Sequence, residues 1–131
     1  MATINKFEDL EIWKLARILC KDIYDLAERT NLKNSYRLYN QIDGSSGSIM
    51  DNIAEGFERN GNKEFVQFLS IAKASCGETR SQLYRILDRK FTTEEEFEQL
   101  KMQAETLSRK IGAFINYLKK SEMKGTKFIQ P

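Results

Sequence analysis

Two cysteines and the absence of histidine limit the chemistry that this 131-residue chain can perform. Without histidine, the usual general base and the commonest metal ligand are missing, and the Glu-x-x-His motif of di-metal helical bundles cannot occur. Cys76 is a nucleophile in principle, but no imidazole can activate it. Cys76 and Cys20 both fall at apolar helical positions. We therefore expect two buried free thiols in a non-enzymatic protein without metal or cofactor.

Asn52 and Glu55 are polar residues beside a predicted core face. Both lie next to Ile53 and Gly56 on a helical projection, so their amide and carboxylate need partners. We expect hydrogen bonds to the backbone or to Arg59 that hold the following turn or a contact between subunits. A polar ligand site is the alternative. The change Glu55→Leu should then weaken folding or assembly, and an unchanged mass and melting temperature would contradict this interpretation.

Basic side chains form two groups, although a net charge of +2 does not by itself indicate a nucleic-acid-binding protein. One group marks the outer face and end of the third predicted helix, and the other dominates the last 23 residues, together with Tyr117 and Phe128. Basic residues near aromatic ones can bind phosphates and stack on bases. A solvated face and a favourable helix C-terminus would explain the same charges. The candidate nucleic-acid contacts are Arg80, Arg85, Arg89, Lys90, Arg109, Lys110, Lys119, Lys120, Lys124 and Lys127.

The stretch 41–59 has helical spacing, although its middle is rich in glycine and serine. A glycine costs about 1 kcal/mol in a helix interior relative to alanine. Gly44 and Gly47 therefore indicate that another backbone lies close by. The residues that share one face and are expected in the core are Ile42, Ser46, Ile49, Ile53 and Gly56.

The next helix offers a partner for these small residues. A turn signal at residues 60–62 predicts that this helix folds back antiparallel, which places residues 44–48 opposite the small residues 73–77. Mirrored small-residue patches predict close packing, or space for a large side chain such as Trp13. A ligand cleft lined by backbone is a further interpretation. The absence of the Walker spacing and of a preceding strand argues against a phosphate loop.

Four segments have helical periodicity, and short loops separate them. The fourth has the cleanest pattern, with apolar residues at alternating steps of 3 and 4 over residues 97–118 and a capping box at Thr93 and Glu96. The first carries two apolar stripes, one with Trp13 and one with Ile12, which together are wider than one neighbour needs and indicate a subunit interface. Burial of much of this arc within a single bundle is the alternative. The predicted helices span residues 8–29, 35–59, 62–90 and 93–120.

These segments predict an all-α fold, namely an antiparallel, up-down-up-down, left-handed four-helix bundle that forms a single domain over residues 1–131. Asn62 is the expected N-cap of the third helix. Residues 121–131 form a polar tail that is expected to be weakly ordered. No apolar run is long enough to span a membrane and residues 1–9 lack the apolar core of a signal peptide, so we expect a cytoplasmic protein with no membrane partner.

The chain resembles a bacterial family of small four-helix-bundle proteins that are encoded in intervening sequences of 23S rRNA genes. The likeness covers residues 7–120, and its most specific part combines residues 52–56 with Glu64 and Phe65. The other residues that carry it are Phe7, Glu8, Asp9, Leu10, Trp13, Ala16, Gln41, Ile42, Ser45, Ser46, Gly47, Ser48, Ile49, Arg59, Phe68, Leu69, Ala72, Lys73, Ser75, Glu78 and Leu83.

This resemblance implies a role in interaction. The family is often labelled ribosomal, a name that does not establish ribosome binding. A related branch, the accessory protein of diversity-generating retroelements, forms a pentameric barrel and binds a reverse transcriptase and nucleic acid through basic surface. The resemblance thus implies a homo-oligomer, with a pentamer as the expected size. With the basic residues, it favours a non-enzymatic scaffold that contacts RNA, DNA or a nucleic-acid enzyme. A structural or protein-binding oligomer with no nucleic-acid role is the alternative. The residues expected to serve packing or assembly are Trp13, Gly44, Gly47, Asn52, Glu55, Gly56 and Gly77.

Overall fold

A computed structural model describes residues 3–121, and this part of the chain folds into four long α-helices. The predicted all-α fold is therefore confirmed. Short 3₁₀ turns at Phe7–Asp9 and Asn31–Asn34 precede the first two helices. None of the helices within the described range is both long and apolar enough to cross a membrane. The helices are α1 (Glu11–Glu28), α2 (Tyr36–Glu58), α3 (Asn62–Asp88) and α4 (Glu94–Lys120).

The helix ends follow from local chemistry, and they lie within one or two residues of the predicted positions except at the start of α1. That helix begins three residues later than predicted, because the turn Phe7–Asp9 precedes it and the wholly buried Leu10 occupies its N-cap position. At α4, the Thr93 hydroxyl accepts a hydrogen bond from the Glu96 backbone nitrogen at 3.2 Å, as the capping-box pattern predicted. The Glu96 carboxylate pairs with Arg29, the C-cap residue of α1, and thereby links the end of α1 to the start of α4.

The turn between α2 and α3 depends on a glycine. Gly61 has a φ of +102°, a backbone conformation that other residues rarely adopt, and it occupies the N-cap position of α3. The prediction that Asn62 is the N-cap is therefore wrong. Asn62 is the first helical residue, and its Nδ2 donates to the carbonyl oxygens of Leu118 at 3.1 Å and Ser121 at 3.2 Å. It thus links the α2–α3 turn to the end of α4.

Neighbouring helices run antiparallel and close into a four-membered bundle. The contacts between α2 and α3 and between α3 and α4 are the most extensive, and α1 packs less extensively against α2 and α4. Arg85 bonds to Gln41 near one end, and Ser75 bonds to Ser48 further along. Residue numbers therefore rise along α2 as they fall along α3, which is the expected up-down order. The left-handed crossing stays a prediction.

The apolar seams predicted for α3 and α4 form the core. Every residue of both patterns is buried, so the heptad spacing identified the inward faces correctly. Phe114 of α4 lies against Phe65 of α3, with ring centroids 5.6 Å apart. The buried seam residues are Phe65, Leu69, Ala72, Cys76, Thr79, Leu83 and Ile86 of α3, and Phe97, Leu100, Ala104, Leu107, Ile111, Phe114 and Leu118 of α4.

The wide apolar arc of α1 is largely absorbed by the core of its own chain. Ile12 is 2% exposed, so the bundle itself buries this side of the arc. A subunit interface on the rest of the arc stays a prediction. Trp13 is half-buried and packs edge-on against Phe7, with ring centroids 5.2 Å apart. Two large hydrophobic side chains of α1 are exposed to solvent, Ile18 at 51% and Tyr24 at 52%.

Candidate nucleic-acid interface

The small residues of α2 and α3 meet through hydroxyl groups. The Ser45 hydroxyl donates to Gln82 Oε1 at 2.6 Å and lies 2.8 Å from the Thr79 hydroxyl. One turn along, Ser75 donates to the Ser48 hydroxyl at 3.0 Å. Four of these five residues are buried, and Ser48 is half-buried. Such direct bonds leave no ligand-sized space between the two helices at this level, which argues against the cleft interpretation.

Three of the four glycines predicted to serve packing or assembly face away from that contact. A Cβ atom added at Gly44, Gly47 or Gly77 would meet no atom within 4 Å. The prediction that these glycines permit close packing of α2 on α3, or leave space for Trp13, is therefore wrong. Serine side chains occupy the contact, and the glycines lie on its outer side. A role for these glycines in assembly stays a prediction.

Gly56 is the glycine of that set that does pack closely. A Cβ at this position would lie 2.7 Å from the Cβ of Phe68 and 2.9 Å from Cδ1 of Phe65, both on α3. Real Cβ atoms do not approach so closely, so a larger residue would force the helices apart. Gly56 therefore allows the close approach of α2 and α3 near their shared turn.

Asn52 and Glu55 bond locally on α2. Asn52 Nδ2 donates to the backbone oxygen of Ser48 at 2.8 Å and to its hydroxyl at 2.9 Å, and Asn52 is half-buried. The Glu55 carboxylate is exposed and accepts from Arg59 at 2.8 Å, while the Arg59 guanidinium lies over the ring of Phe68 at 5.0 Å. Because an exposed pair of this spacing contributes only about 0.3–0.5 kcal/mol, Glu55→Leu should change folding little. A loss of mass in that variant would point to a role in assembly.

The two cysteines are free, and neither is set up as a nucleophile. Cys76 is buried, and burial raises the pKa of its thiol to about 12. Cys20 is half-buried, and its thiol donates to the carbonyl oxygen of Ser46 at 3.1 Å, while burial raises its pKa as well. Between residues 3 and 121, no group of three or more Cys, Asp or Glu side chains is placed to hold a metal ion.

The predicted basic residues do not lie on one surface. Arg80 lies 3.6 Å from the Glu105 carboxylate, and Lys110 lies 3.3 Å from that of Glu11. These two charges are compensated within the chain, so they contribute less to binding an anion. Arg109 is exposed on the outer side of α4.

Lys119 and Lys120 lie at the last turn of α4, at the opposite end of the bundle from the last turn of α3. The 27 residues of α3 separate these ends by about 40 Å. Lys63, at the start of α3, lines the same surface depression as Lys119. The remaining two predicted contacts, Lys124 and Lys127, lie outside the described residues.

At the other end of the bundle, the register of α2 against α3 gathers arginines from both helices. Arg85 Nη1 donates to Gln41 Oε1 at 2.8 Å, which fixes the pairing of the two helices. Arg37 lies one turn before Gln41, and Arg89 lies one turn after Arg85. Since the helices are antiparallel, Arg37 and Arg89 are brought to the same level, and both are exposed.

Two further lysines and an aromatic residue lie at this end. Residues 31–41 and 85–90 together carry five positive charges and one negative charge, that of Asp88, and the first turn of α4 adds the carboxylates of Glu94, Glu95 and Glu96 at the same end of the bundle. Tyr36, in the first turn of α2, is 72% exposed, so its ring is available to a ligand. We call this surface the basic end, and its cationic members are Lys33, Arg37, Arg85, Arg89 and Lys90.

The sequence alone did not indicate three residues at this end of the bundle. Lys33, Arg37 and Tyr36 were not singled out, because they are distant in sequence from the basic group on α3. The spacing of four between Lys33 and Arg37 was a weak signal, but only the α2–α3 register brings them beside Arg89.

Lys90 holds its charge in an unusual backbone conformation. Its φ is +63°, and it follows the C-cap of α3, where glycine is the favoured residue. Backbone bonds from Lys90 to Leu87 at 2.9 Å and from Phe91 to Ile86 at 3.1 Å close the helix end. A lysine at this position therefore adds a cation to the basic end, and its backbone conformation destabilises the fold relative to glycine.

Comparison with known proteins places the chain in a family. In structure, it is similar to a protein with unknown function from the S23 ribosomal protein family of Bacteroides thetaiotaomicron, with a TM-score of 0.73 and 21% sequence identity, over 79% of this chain and 97% of that one. At this identity, the likeness shows a shared fold. No curated protein matches the sequence. The family model described as 23S rRNA-intervening sequence protein matches residues 8–113. The chain therefore belongs to the 23S rRNA-intervening sequence protein family.

Proposed function

We propose that the protein is a non-enzymatic, self-associating adaptor that holds the phosphate backbone of RNA or DNA at its basic end. The observation that carries this proposal is the register of α2 against α3, which places Arg37 and Arg89 at one level, next to Arg85. Two helices thereby contribute cations to one surface, and no continuous segment of sequence could do so alone.

The arginines of the basic end are available to a phosphate. Within residues 3–121, no ion pair engages Arg37 or Arg89, whereas six other Lys or Arg side chains have carboxylate partners. A guanidinium group can donate two parallel hydrogen bonds to one phosphate, and its charge releases counterions from the nucleic acid. The basic end therefore combines free charge with donors of the right geometry.

Tyr36 adds a surface on which a base can stack. Stacking of a base on an exposed aromatic ring contributes about 1–3 kcal/mol and depends little on sequence. Phosphate contacts likewise carry no sequence information. The proposal is therefore a general contact to backbone and unpaired bases, which favours a structured RNA with single-stranded loops over duplex DNA.

The rest of the proposal concerns assembly, chemistry and location. The resemblance noted above supports self-association, with five subunits as the expected size, and repeated basic ends in one assembly would gain avidity. The raised pKa of Cys76 supports the absence of thiol chemistry. The proposed location of the protein is the cytoplasm.

A purely structural or protein-binding oligomer is the second candidate function. The observation that favours it is the exposure of two large apolar side chains on neighbouring helices, Ile18 at 51% and Met102 at 65%. Such side chains are more typical of a protein contact than of a nucleic-acid contact.

Binding of the purified protein to a structured RNA and to duplex DNA, from low to physiological salt, tests the proposal. The double variant Arg37→Glu, Arg89→Glu should reduce RNA affinity by at least tenfold, since it reverses two charges at the basic end. The matched control is Lys119→Glu, Lys120→Glu, which makes the same change of net charge at the opposite end of the bundle and should have a much smaller effect.

Equal losses in the two variants would show a general dependence on net charge, which contradicts a specific basic end. No binding of the unaltered protein at low salt would overturn the nucleic-acid role and favour the protein-binding candidate.

A further inference from the structure

Helices α1 and α4 form a groove on the side of the bundle, and the two halves of this groove differ in chemistry. The first half is a depression of about 240 Å³, and its apolar lining is formed by Leu15, Ile18 and Met102. The second half is a depression of about 260 Å³ that is lined by carboxylates. Gln99 and Gln103 line both depressions, so the two halves adjoin. A ligand in the groove would therefore meet an apolar surface and an acidic surface side by side.

The acidic half contains one carboxylate that has no cationic partner in the described part of the chain. Two other carboxylates of this half are compensated, since Glu96 pairs with Arg29 and Asp25 lies 2.9 Å from Lys21. Asp22 is half-buried, and within residues 3–121 no ion pair engages its carboxylate. A partly buried charge without a counter-charge is unfavourable, so a ligand cation beside Asp22 would be stabilised.

The junction of the two halves holds a hydrogen-bond acceptor without a partner. Gln103 Nε2 donates to the Asp22 carboxylate at 3.0 Å, which orients the amide, because the reverse orientation would set two acceptors together. The Oε1 atom of Gln103 is buried and accepts no hydrogen bond from any residue between 3 and 121. Buried acceptors in proteins normally have a donor. Rotation about the last side-chain bond of glutamine is soft, so a small turn of the amide presents Oε1 to a donor in the groove.

We propose that this groove binds a small primary amine with a short alkyl chain, in its protonated form. The ammonium group donates to Asp22 and to Gln103 Oε1, and the alkyl chain covers Ile18 and Met102. Ile18 precedes Asp22 by one helical turn, about 6 Å along the axis, so a ligand of a few carbon atoms reaches both. An alkylammonium group has three donors and no acceptor, and it keeps its charge at neutral pH. It therefore matches both the unpaired carboxylate and the unpaired acceptor.

This site goes beyond the proposed nucleic-acid contact. Its lining comes from α1 and α4 and includes no cationic member of the basic end. Its ligand is a cation, whereas the basic end would hold an anion, so neither property depends on the other. An apolar protein contact is the other use of Ile18 and Met102, but such a contact would leave the Asp22 charge and Gln103 Oε1 unpaired.

Titration of the full chain with n-hexylamine at pH 7, followed by ¹⁵N NMR spectroscopy, is the first test. The matched probe is n-hexanol, which has the same chain without the charge. Hexylamine should bind at least tenfold more tightly than hexanol, with the largest shifts around residues 18, 22, 102 and 103. Butylamine should bind about tenfold more weakly than hexylamine, because each buried methylene contributes about threefold. Equal affinities for hexylamine and hexanol would show an apolar contact alone and overturn the amine site, as would shifts confined to other residues.

The variant Asp22→Asn tests the role of the charge without altering the fold, because asparagine keeps an oxygen that accepts from Gln103 Nε2. It should bind hexylamine at least tenfold more weakly and hexanol as before. The matched control is Asp51→Asn, which makes the same change of net charge at an exposed position of α2 outside the groove and should leave both affinities unchanged. An equal loss in the two variants, or an unchanged affinity in Asp22→Asn, would contradict the proposal. RNA binding should persist in both variants, so failure here is distinct from failure of the basic end.

Discussion

Replacing the outward glycines by alanine should stabilise the protein. Gly44, Gly47 and Gly77 lie inside helices, and a Cβ added at each would meet no atom within 4 Å. Each change therefore removes the backbone entropy cost of glycine without a clash, and contributes roughly 0.5–1 kcal/mol. The triple alanine variant should gain about 1.5–3 kcal/mol, which for a chain of this size raises Tm by about 5–10 °C.

Thermal and urea unfolding followed by far-UV circular dichroism measure this gain. The matched control is Gly56→Ala, where the new Cβ would lie 2.7 Å from that of Phe68. Overpacking of this kind costs about 1–3 kcal/mol, so the control should lose stability. A destabilised triple variant would refute the outward placement of the three glycines. A stable triple variant with reduced mass would instead show that these glycines serve assembly.

Two further changes follow from single residues. Lys90→Gly should raise the free energy of unfolding by about 1 kcal/mol, because glycine adopts a positive φ without strain. The same change should weaken RNA binding, since it removes a cation of the basic end. A loss of stability in urea unfolding would contradict backbone strain at the φ of +63°. Burial raises the pKa of the Cys76 thiol from its ordinary value of 9.0 to about 12 in the folded chain. Between these two pH values the unfolded chain loses the thiol proton and the folded chain keeps it, so the free energy of unfolding falls as the pH rises from 9 towards 12. Cys76→Ala should flatten the decline of Tm in that range, and an unchanged decline would show that burial does not hold the thiol neutral.

The inward faces of the helices could be read from the sequence, because a helix repeats its direction every 3.6 residues. The patterns from Phe65 to Ile86 and from Phe97 to Leu118 were fully buried. The same periodicity places Gly44 and Gly47 on a different side of α2 from Ile42. In the structure these two glycines face outward. Their glycine content suggested close packing, but glycine alone does not reveal on which side of a helix the neighbour lies.

The candidate site was only partly accessible from sequence. Arg85, Arg89 and Lys90 were identified as a basic group on one helix. Lys33 and Arg37 belong to another part of the chain, and only contacts between the two helices, such as the bond between Arg85 and Gln41, show how the helices are aligned. A shift of one turn in this register would have moved the arginines apart. Ion pairs such as that of Arg80 with Glu105 could not be predicted either, since they depend on the packing of two distant segments.

The salt dependence of RNA binding tests the central claim most directly. The neutral double variant Arg37→Gln, Arg89→Gln removes two cations from the basic end without adding negative charge. If each arginine contacts one phosphate, the slope of the logarithm of affinity against the logarithm of salt concentration should fall in magnitude by about 1.5. The corresponding variant Lys119→Gln, Lys120→Gln should leave the slope nearly unchanged. An unchanged slope in the arginine variant, or an equal fall in both, would contradict phosphate binding at the basic end.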